Sequence, residues 1–443
     1  MNKPITFCIP TAKDEREYLE LLLHSLETNT EFNLHEVLIF IDSDNQDTYE
    51  FLMNKKQTIK NIKICKNDTK FPIGGQTNIH LMFNSASNDI VCYLQSDMVV
   101  GKDLDKHIHL NLKDKSEILS MTRIEPPLHP ESDTTITKHF GLSPTEFDMD
   151  SFNTFVESKH NEDDNILDDV YFAPFALFKE TWFQVLGGFD TQFRCSREDS
   201  DILIRAKLAG LKLKQSWNAM VYHFTCVSSR GKEWFKNTKS SHYNNELQQK
   251  ADTQELIRFT RKWGKFSHDI KYMYNISMAI ELDTYVDINV LLNIEPYTTK
   301  IYLTNPKIQK YLISTLDFTH SYVSNLRWGY TEEHWDSSKS RFTSIDFEDK
   351  IKYVNNITSL VSDDAHINSH DILLFVKYSE MMENINESFN IIQSLQDIIH
   401  ENDEGAYEYG PFTIHIINKH NTVYEKIKVR TIDKMFMDSF KFN

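Results

Sequence analysis

The stretch ITFCIPTAKDEREYLELLLHSLETNTEFNLHEVLIFIDSD (residues 5–44) decides the fold. Its two ends are short apolar runs typical of buried strands, and its middle has apolar residues at helical spacing. A strand, a helix and a second strand in this order predict a βαβ crossover, in which the two strands run parallel.

The same alternation continues as far as about residue 267. We predict further strands and helices from it at 62–68 (strand), 74–87 (helix), 89–97 (strand), 170–190 (strand, then a short helix), 211–224 (two short strands) and 244–266 (helix). The predicted fold class is therefore α/β. Residues 1–267 form a first domain with a mainly parallel sheet flanked by helices.

An acidic insertion at about 126–169 interrupts this pattern with turn-rich and strongly acidic sequence. We predict an inserted loop over the rim of the sheet. A lid or acceptor-binding segment and a plain solvated surface loop both remain open as interpretations.

Residues 268–443 are predicted to form a smaller C-terminal α/β domain, and no motif there indicates a role. The strand candidates are 286–294, 299–305, 371–379, 411–418 and 422–430, and helices are expected at 306–316 and 386–400.

Composition limits the classes of function. The chain has 443 residues, 40% of them hydrophobic, and a formal net charge of −17, which disfavours general binding to nucleic acid or to an anionic membrane surface. No apolar run is long enough for a membrane span, and the first residues lack the apolar core of a signal peptide. The five cysteines form no CxxC pair, so we expect no zinc site and a reducing, cytoplasmic location.

Polar residues follow three of the predicted parallel strands. Because ligands bind beyond the carboxyl ends of strands in such sheets, these residues are candidates for a shared binding edge, although strand ends are also ordinary polar loops. They are Pro10 and Thr11, then Asp42, Ser43 and Asp44, then Gln95, Ser96 and Asp97.

Five segments in this order carry a resemblance to a known family. They are ITFCIPT (5–11), VLIFIDSDN (37–45), GGQTNIHLMFNSASNDIVCYLQSDMVV (74–100), LGGFDTQFRCSREDSDILIRAKLAGLKL (186–213) and MVYHF (220–224). Over about residues 1–265 the chain resembles a family 2 glycosyltransferase with the GT-A fold, the fold of nucleotide-diphospho-sugar transferases. The long fourth segment is the most specific of the five.

The resemblance implies a nucleotide-sugar donor and a divalent cation, Mn²⁺ or Mg²⁺, on its diphosphate. Asp97 and His223 stand where the family places metal ligands. Gln95 replaces the first aspartate of the family's Asp-x-Asp motif and brings no charge, which leaves weaker metal dependence open. The resemblance places the donor against Pro10, Thr11, Asp42, Ser43, Asp44, Gly74, Gln76, Gln95, Ser96 and Arg230.

The stretch SREDSD (196–201) carries the implied catalytic acids. Family 2 enzymes invert the anomeric centre, so one ionised carboxylate must take the proton of the acceptor hydroxyl. By resemblance that base is Asp199, with Glu198 beside it. The pattern Ser196-x-x-Asp199 also fits a helix capping box, and capping and catalysis are compatible.

The sequence therefore predicts an inverting glycosyltransferase that acts on a hydroxyl of a glycan or glycoconjugate. The C-terminal domain would serve acceptor recognition or assembly, homo-oligomer formation included. The alternative is a catalytically degenerate GT-A protein that binds a glycan or a partner. A sugar-phosphate nucleotidyltransferase is disfavoured, because IPTAKDERE (9–17) lacks the glycine-rich loop expected after the first strand.

Overall fold

The fold is described from a computed structural model. It describes residues 3–11, 15–42, 46–68, 75–128, 132–160, 166–168, 173–190, 192–193, 197–225, 246–326, 345–362, 369–429 and 440–443. Two compact units emerge from it. The first comprises 1–191, 205–245 and 428–443, and the second comprises 192–204 and 246–427.

Ten strands of the described chain form one sheet in the first unit, with the order β3-β2-β1-β4-β9-β6-β10-β5, β7 beside β6 and β8 beside β10. They are β1 Ile5–Thr11, β2 Glu36–Ile41, β3 Ile62–Lys66, β4 Ile90–Tyr93, β5 Met98–Val100, β6 Glu117–Glu125, β7 Thr135–Thr137, β8 Ile166–Asp168, β9 Phe175–Phe178 and β10 Lys212–His223. The pairs β3-β2, β2-β1, β1-β4 and β6-β10 are parallel. This confirms the mainly parallel α/β sheet.

Helices flank this sheet and bury their apolar stripes on it. They are α1 Arg16–Asn29, α2 Gln46–Thr58, α3 Gly75–Ser85, α4 Leu104–Asn111, α5 Met149–Lys159 and a π-helix, Thr181–Leu186. The helix α6, Glu198–Leu208, has residues in both units. In α1 the buried positions Leu19, Leu22, Leu23 and Leu26 follow the helical period and join the core.

The Gly-Gly turn of the fourth family-like segment has a steric cause. Gly188 has φ +96°, and a Cβ there would lie 2.3 Å from Nδ1 of the buried His80. Only glycine fits this position.

The second unit has its own sheet, of order β13-β12-β11-β14-β16-β15, in which β13, β12, β11 and β14 are parallel. Its strands are β11 Ile276–Glu281, β12 Lys300–Leu303, β13 Ile351–Tyr353, β14 Ile372–Lys377, β15 Gly405–Tyr409 and β16 Phe412–Ile416. Its helices are α7 Glu246–Trp263, α8 Ile288–Ile294, α9 Pro306–Leu326, α10 Phe347–Lys350, α11 Ser359–Ser362, α12 Tyr378–Glu383, α13 Ile385–Gln393 and α14 Leu395–Glu401. The expected second, smaller α/β sheet is thus confirmed.

Several local expectations are corrected. Residues 286–294 contain α8 rather than a strand, and 422–430 contain a 3₁₀ turn, Val423–Lys426. Residues 212–223 form one long strand, not two, with a register shift between Ser216 and Met220. The insertion at 126–169 contains α5, β7 and β8 instead of loop alone.

The boundary predicted at residue 267 stays a prediction. Residues 192–204 and 246–267 group with the second unit, so the chain crosses between the compact units more than once. Among the described residues, no helix is long and apolar enough to cross a lipid bilayer.

Candidate active site

Two residues from the family-like motifs meet at adjacent strand ends of the first unit. His223 is the last residue of β10 and pairs with Met98 of β5, so Asp97 lies beside Phe224, whose backbone N–H donates to the Asp97 carbonyl at 3.0 Å. The His223 Nε2 atom is 3.8 Å from Asp97 Oδ1, and both side chains are buried. The structure therefore brings the two predicted metal ligands together.

Glu125, which the sequence did not single out, fixes the imidazole of His223. β6 and β10 run parallel with Ile124 opposite Tyr222, which places Glu125 next to His223 at the strand ends. The Glu125 Oε1 atom lies 2.8 Å from His223 Nδ1. Because a carboxylate only accepts, Nδ1 carries the proton, and Nε2 of a neutral ring is left with a lone pair toward Asp97.

A second buried carboxylate, Glu15, ties two of the predicted donor-binding residues together. Thr11 Oγ1 and Ser96 Oγ both donate to Glu15 Oε2, at 3.2 and 2.5 Å. Glu15 precedes α1 but makes no side-chain cap there. It therefore links the end of β1 to the loop that carries Asp97.

Asp42 lies at the end of β2, as the sequence predicted, and is buried. Its backbone N–H donates to the Thr11 carbonyl at 2.9 Å, and its Oδ1 accepts from Asn67 Nδ2 at 2.9 Å. The amide of Asn67 holds the carboxylate in place at the same edge as Thr11.

The structure describes three more of the predicted donor-binding residues. Pro10 and Gln95 are half-buried, at the end of β1 and in the loop before Asp97. Gln76 lies in the first turn of α3. Four more of the predicted donor-binding residues lie outside the described residues, namely Ser43, Asp44, Gly74 and Arg230.

The predicted catalytic acids begin α6, in the part of the chain that groups with the second unit. Asp199 is exposed, and its Oδ1 accepts the Ser200 backbone N–H at 2.7 Å. Glu198 is half-buried beside it. Arg197, just before the helix, has φ +69°. Both carboxylates thus lie at a helix N-terminus, a position where acidic residues interact favourably with the helix dipole.

Asp201 anchors the start of α6 within the second unit. It is fully buried, pairs with Lys262 Nζ at 2.6 Å and accepts from Trp263 Nε1 at 3.1 Å. Both partners lie in the last turn of α7. The spacing of acids in α6 gave no signal of these partners, because they lie some sixty residues away in the chain.

The electrostatics of the Asp97 site also involve Tyr18 of α1. Burial, followed by the charge of Asp97, raises the pKa of Tyr18 to about 12. Its phenol therefore stays neutral at physiological pH and keeps its O–H as a donor.

Among the residues that the structure describes, no three His, Cys, Asp or Glu side chains form a cluster that could hold a metal ion alone. Asp97 and His223 supply two ligand atoms of the types that Mn²⁺ accepts. Small divalent cations are commonly held by one or two carboxylates together with substrate phosphates and water, which fits a two-ligand protein site.

The structure is similar to that of GalNAc-T7 crystallised with UDP, GalNAc and Mn²⁺, at 14% identity and a TM-score of 0.42, over 60% of this chain and 48% of that one. It is also similar to S. aureus TarS 1-349, at 13% identity and a TM-score of 0.39, over 75% and 91% of the two chains. For TarS 1-349 in complex with UDP the sequence identity is 14% and the TM-score is 0.38, over 77% of this chain and 94% of that one. Both proteins are glycosyltransferases.

This chain thus spans about half the length of the GalNAc-T7 structure. No protein-family model matches the sequence, and no curated protein matches it.

Proposed function

We propose that this chain is an inverting glycosyltransferase of the GT-A type, similar to family 2, which transfers a sugar from a nucleoside-diphosphate sugar to a hydroxyl of a glycan or glycoconjugate. The single observation that carries the proposal is the buried pair of Asp97 and His223, with Glu125 setting the ring so that Nε2 faces the carboxylate. A histidine that served only to fill the core would not need this arrangement.

The donor would lie along the carboxyl edge of the first sheet. Asp42 offers carboxylate oxygens to ribose hydroxyls or a base N–H, and Glu15 holds Thr11 and Ser96 in fixed positions. Asp97 and His223 would hold a divalent cation. When bound, that cation supplies positive charge to the diphosphate that departs.

Asp199 is the proposed base. The acceptor oxygen forms a bond to the anomeric carbon from the face opposite the diphosphate, the bond from that carbon to the diphosphate oxygen breaks, and its electron pair leaves with the diphosphate. The proton of the acceptor hydroxyl passes to Asp199. One displacement inverts the anomeric configuration. An exposed carboxylate at a helix N-terminus is accessible to an acceptor, which supports this role.

Turnover of a panel of nucleotide sugars tests the proposal. The purified full chain is incubated with each sugar and Mn²⁺, and release of the nucleoside diphosphate is measured with and without mixed glycan acceptors. We expect one donor to be turned over by the native chain and not by Asp97→Ala. Absence of turnover with every donor, together with binding of glycans alone, would favour the degenerate binding protein, to which Gln95 also points.

A further inference from the structure

A pocket of about 800 Å³ lies in the insertion of the first unit, where segment 138–148 faces α5. Its volume falls within the range of small-molecule sites. The sequence pattern indicated only a loop here, and the proposed transfer reaction makes no use of this pocket.

The loop that forms one wall is tightly fixed. Gly141 has φ +140°, and a Cβ there would lie 2.8 Å from the Glu146 carbonyl oxygen and from the Phe147 Cα. The Asp148 backbone N–H donates to the Phe140 carbonyl at 2.8 Å. The backbone conformation of this wall therefore requires glycine at position 141.

The facing wall is one side of α5. Ser151, Thr154 and Ser158 lie three and four residues apart, so they share a face, and all three are exposed. Phe152 and Val156 lie on another face and are fully buried. Ser151 Oγ donates to Asp148 Oδ2 at 2.7 Å, and Ser158 Oγ donates to the Phe155 carbonyl at 2.6 Å. The helix thus presents these two hydroxyl groups to the pocket as acceptors, and its apolar residues to the core.

The charged groups of the lining are mostly acidic. Glu146, Asp148 and Asp150 oppose a single lysine, Lys138, whose Nζ rests 3.9 Å from the centre of the Phe155 ring. Hydrogen bonds from Ser151 lower the pKa of Asp148, which keeps that carboxylate ionised. Such a lining repels anions and offers many acceptors to hydroxyl or ammonium donors.

The pocket contacts the ends of β6 and β10, the strands that carry Glu125 and His223, but it lies on the face of β10 to which Tyr222 points. Tyr222 Oη donates to the Gly141 carbonyl at 2.6 Å, and the Lys138 backbone N–H donates to the Glu125 carbonyl at 2.9 Å. Successive side chains of a strand point to opposite faces, so Tyr222 supports the pocket while His223 faces the other way. Burial, then Asp97 and, more weakly, Glu146 of the pocket lining raise the pKa of Tyr18, so charges of both sites act on this side chain.

We propose that this pocket binds an uncharged or amine-bearing saccharide through the hydroxyls of α5 and the three carboxylates. Sugar hydroxyls match the acceptor oxygens of the lining. Phosphorylated and uronic acid sugars are excluded by charge. The binding does not depend on transfer, so it holds whether or not the chain is an enzyme.

Binding of defined oligosaccharides to the purified full chain tests this proposal. The probes are cellotetraose (neutral), the tetramer of chitosan (amine-bearing) and tetragalacturonic acid (anionic), each followed by saturation-transfer NMR and calorimetry without any nucleotide. Thr154→Trp fills the pocket from an exposed position of α5. Glu157→Trp, on the same helix but outside the lining, is the matched control.

We expect the neutral or the amine-bearing tetramer to bind, with at least a tenfold loss in Thr154→Trp and less than a twofold change in Glu157→Trp. Three results would overturn the proposal. They are no binding of either tetramer at 10 mM, equal binding by Thr154→Trp, and binding of tetragalacturonic acid as tight as that of the other two. Thermal unfolding curves establish that both variants are folded.

Discussion

Each of the two sheets contains a run of four parallel strands, β3-β2-β1-β4 in the first and β13-β12-β11-β14 in the second, but the sheets differ in what their strands carry at the carboxyl ends. In the first unit, the strand ends are accompanied by buried carboxylates that contact hydroxyl and imidazole groups. Glu15 accepts from Thr11 and Ser96, and Glu125 holds His223. Burying a carboxylate costs free energy unless it is paired or hydrogen-bonded, and buried polar groups that the fold itself does not need are common at functional sites.

In the second unit, the corresponding ends show ordinary turn chemistry. Asp283, just after β11, is exposed and accepts the Ser379 backbone N–H at 3.0 Å, and Thr304 accepts from the Leu282 backbone N–H at 2.9 Å. Among the described residues of this unit, the buried carboxylates are Asp201, Glu255 and Glu295, and all three lie in helical segments away from the strand ends. The comparison supports the proposal that the donor binds at the carboxyl edge of the first sheet, and it favours a structural role for the charges of the second unit.

The largest expected effect is on turnover, from a change at Asp199, which begins α6 and is not part of either sheet. If Asp199 is the base, Asp199→Asn lowers kcat by about 100- to 10,000-fold, because proton transfer then loses its acceptor. Donor binding stays unchanged. Initial rates under saturating donor measure this, with the exposed Asp269→Asn of the same unit as the control. If Asp199→Asn turns over at the native rate, Asp199 is not the general base.

The second largest expected effect is on the stability of the second unit. Glu295 is fully buried and accepts from Arg261 and Lys350 at 2.8 and 2.6 Å. Glu295→Ala leaves two buried cations and should cost about 3–5 kcal/mol of unfolding free energy. Urea unfolding measures the change against the exposed Glu348→Ala. A loss as small as that of the control would mean that this cluster is not structural.

The same carboxylate predicts an acid effect on stability. Burial raises the pKa of Glu295, but Arg261 and Lys350 outweigh it and hold the pKa below its ordinary value. The ion pairing therefore stabilises the fold above the ordinary range of a carboxyl group, and this contribution is lost as the pH falls through the lowered pKa. In urea unfolding at a series of pH values, the free energy of unfolding of the native protein should fall as the pH falls through this range. In Glu295→Ala this decrease should be smaller.

A smaller effect is expected from Glu125. Glu125→Ala frees the His223 ring and should weaken Mn²⁺ binding by about 10- to 100-fold. Glu125→Gln retains an acceptor oxygen and should bind Mn²⁺ more tightly than Glu125→Ala. In the metal-free protein, ¹⁵N NMR of His223 should show the proton on Nδ1 in the native chain. A proton mainly on Nε2 there would contradict the geometry.

The smallest effect tests the other side of the comparison. Asp283→Asn keeps one acceptor oxygen for the Ser379 backbone N–H and loses the one that accepts from the Ser379 hydroxyl. Because Asp283 is exposed, we expect a change within about 0.5 kcal/mol in unfolding free energy and no change in donor binding. A clear loss of donor binding in this variant would give the second sheet a function that its exposed strand ends do not indicate.

Periodicity predicted β1, α1, β2, β3, α3 and β4, because apolar runs and amphipathic helices alternate there. It missed α2, Gln46–Thr58, whose buried residues are only Thr48 and Leu52, too few to give a clear apolar stripe. It failed at 286–294, where a short apolar run with β-branched residues fits a strand and a buried helix equally. The structure forms α8 there, capped by Asp287, which accepts the Asn289 backbone N–H at 3.0 Å.

The candidate site was predictable in part. Asp97, His223 and Asp42 were found because they end strands in recognisable motifs. Glu125 was missed because it precedes two prolines and looks like the start of a turn. Its partner lies 98 residues further along the chain. The parallel pairing of β6 with β10 brings the two together, and sequence pattern alone does not reveal such pairing.

The most direct test of the functional edge is calorimetry of nucleoside diphosphates, UDP included, with and without Mn²⁺, on the native chain and on Asp97→Asn, with thermal unfolding as the folding control. We predict that the native chain binds one diphosphate at least tenfold more tightly with Mn²⁺ and that Asp97→Asn loses this gain. Equal affinities in the two proteins, or no binding under either condition, would contradict the account.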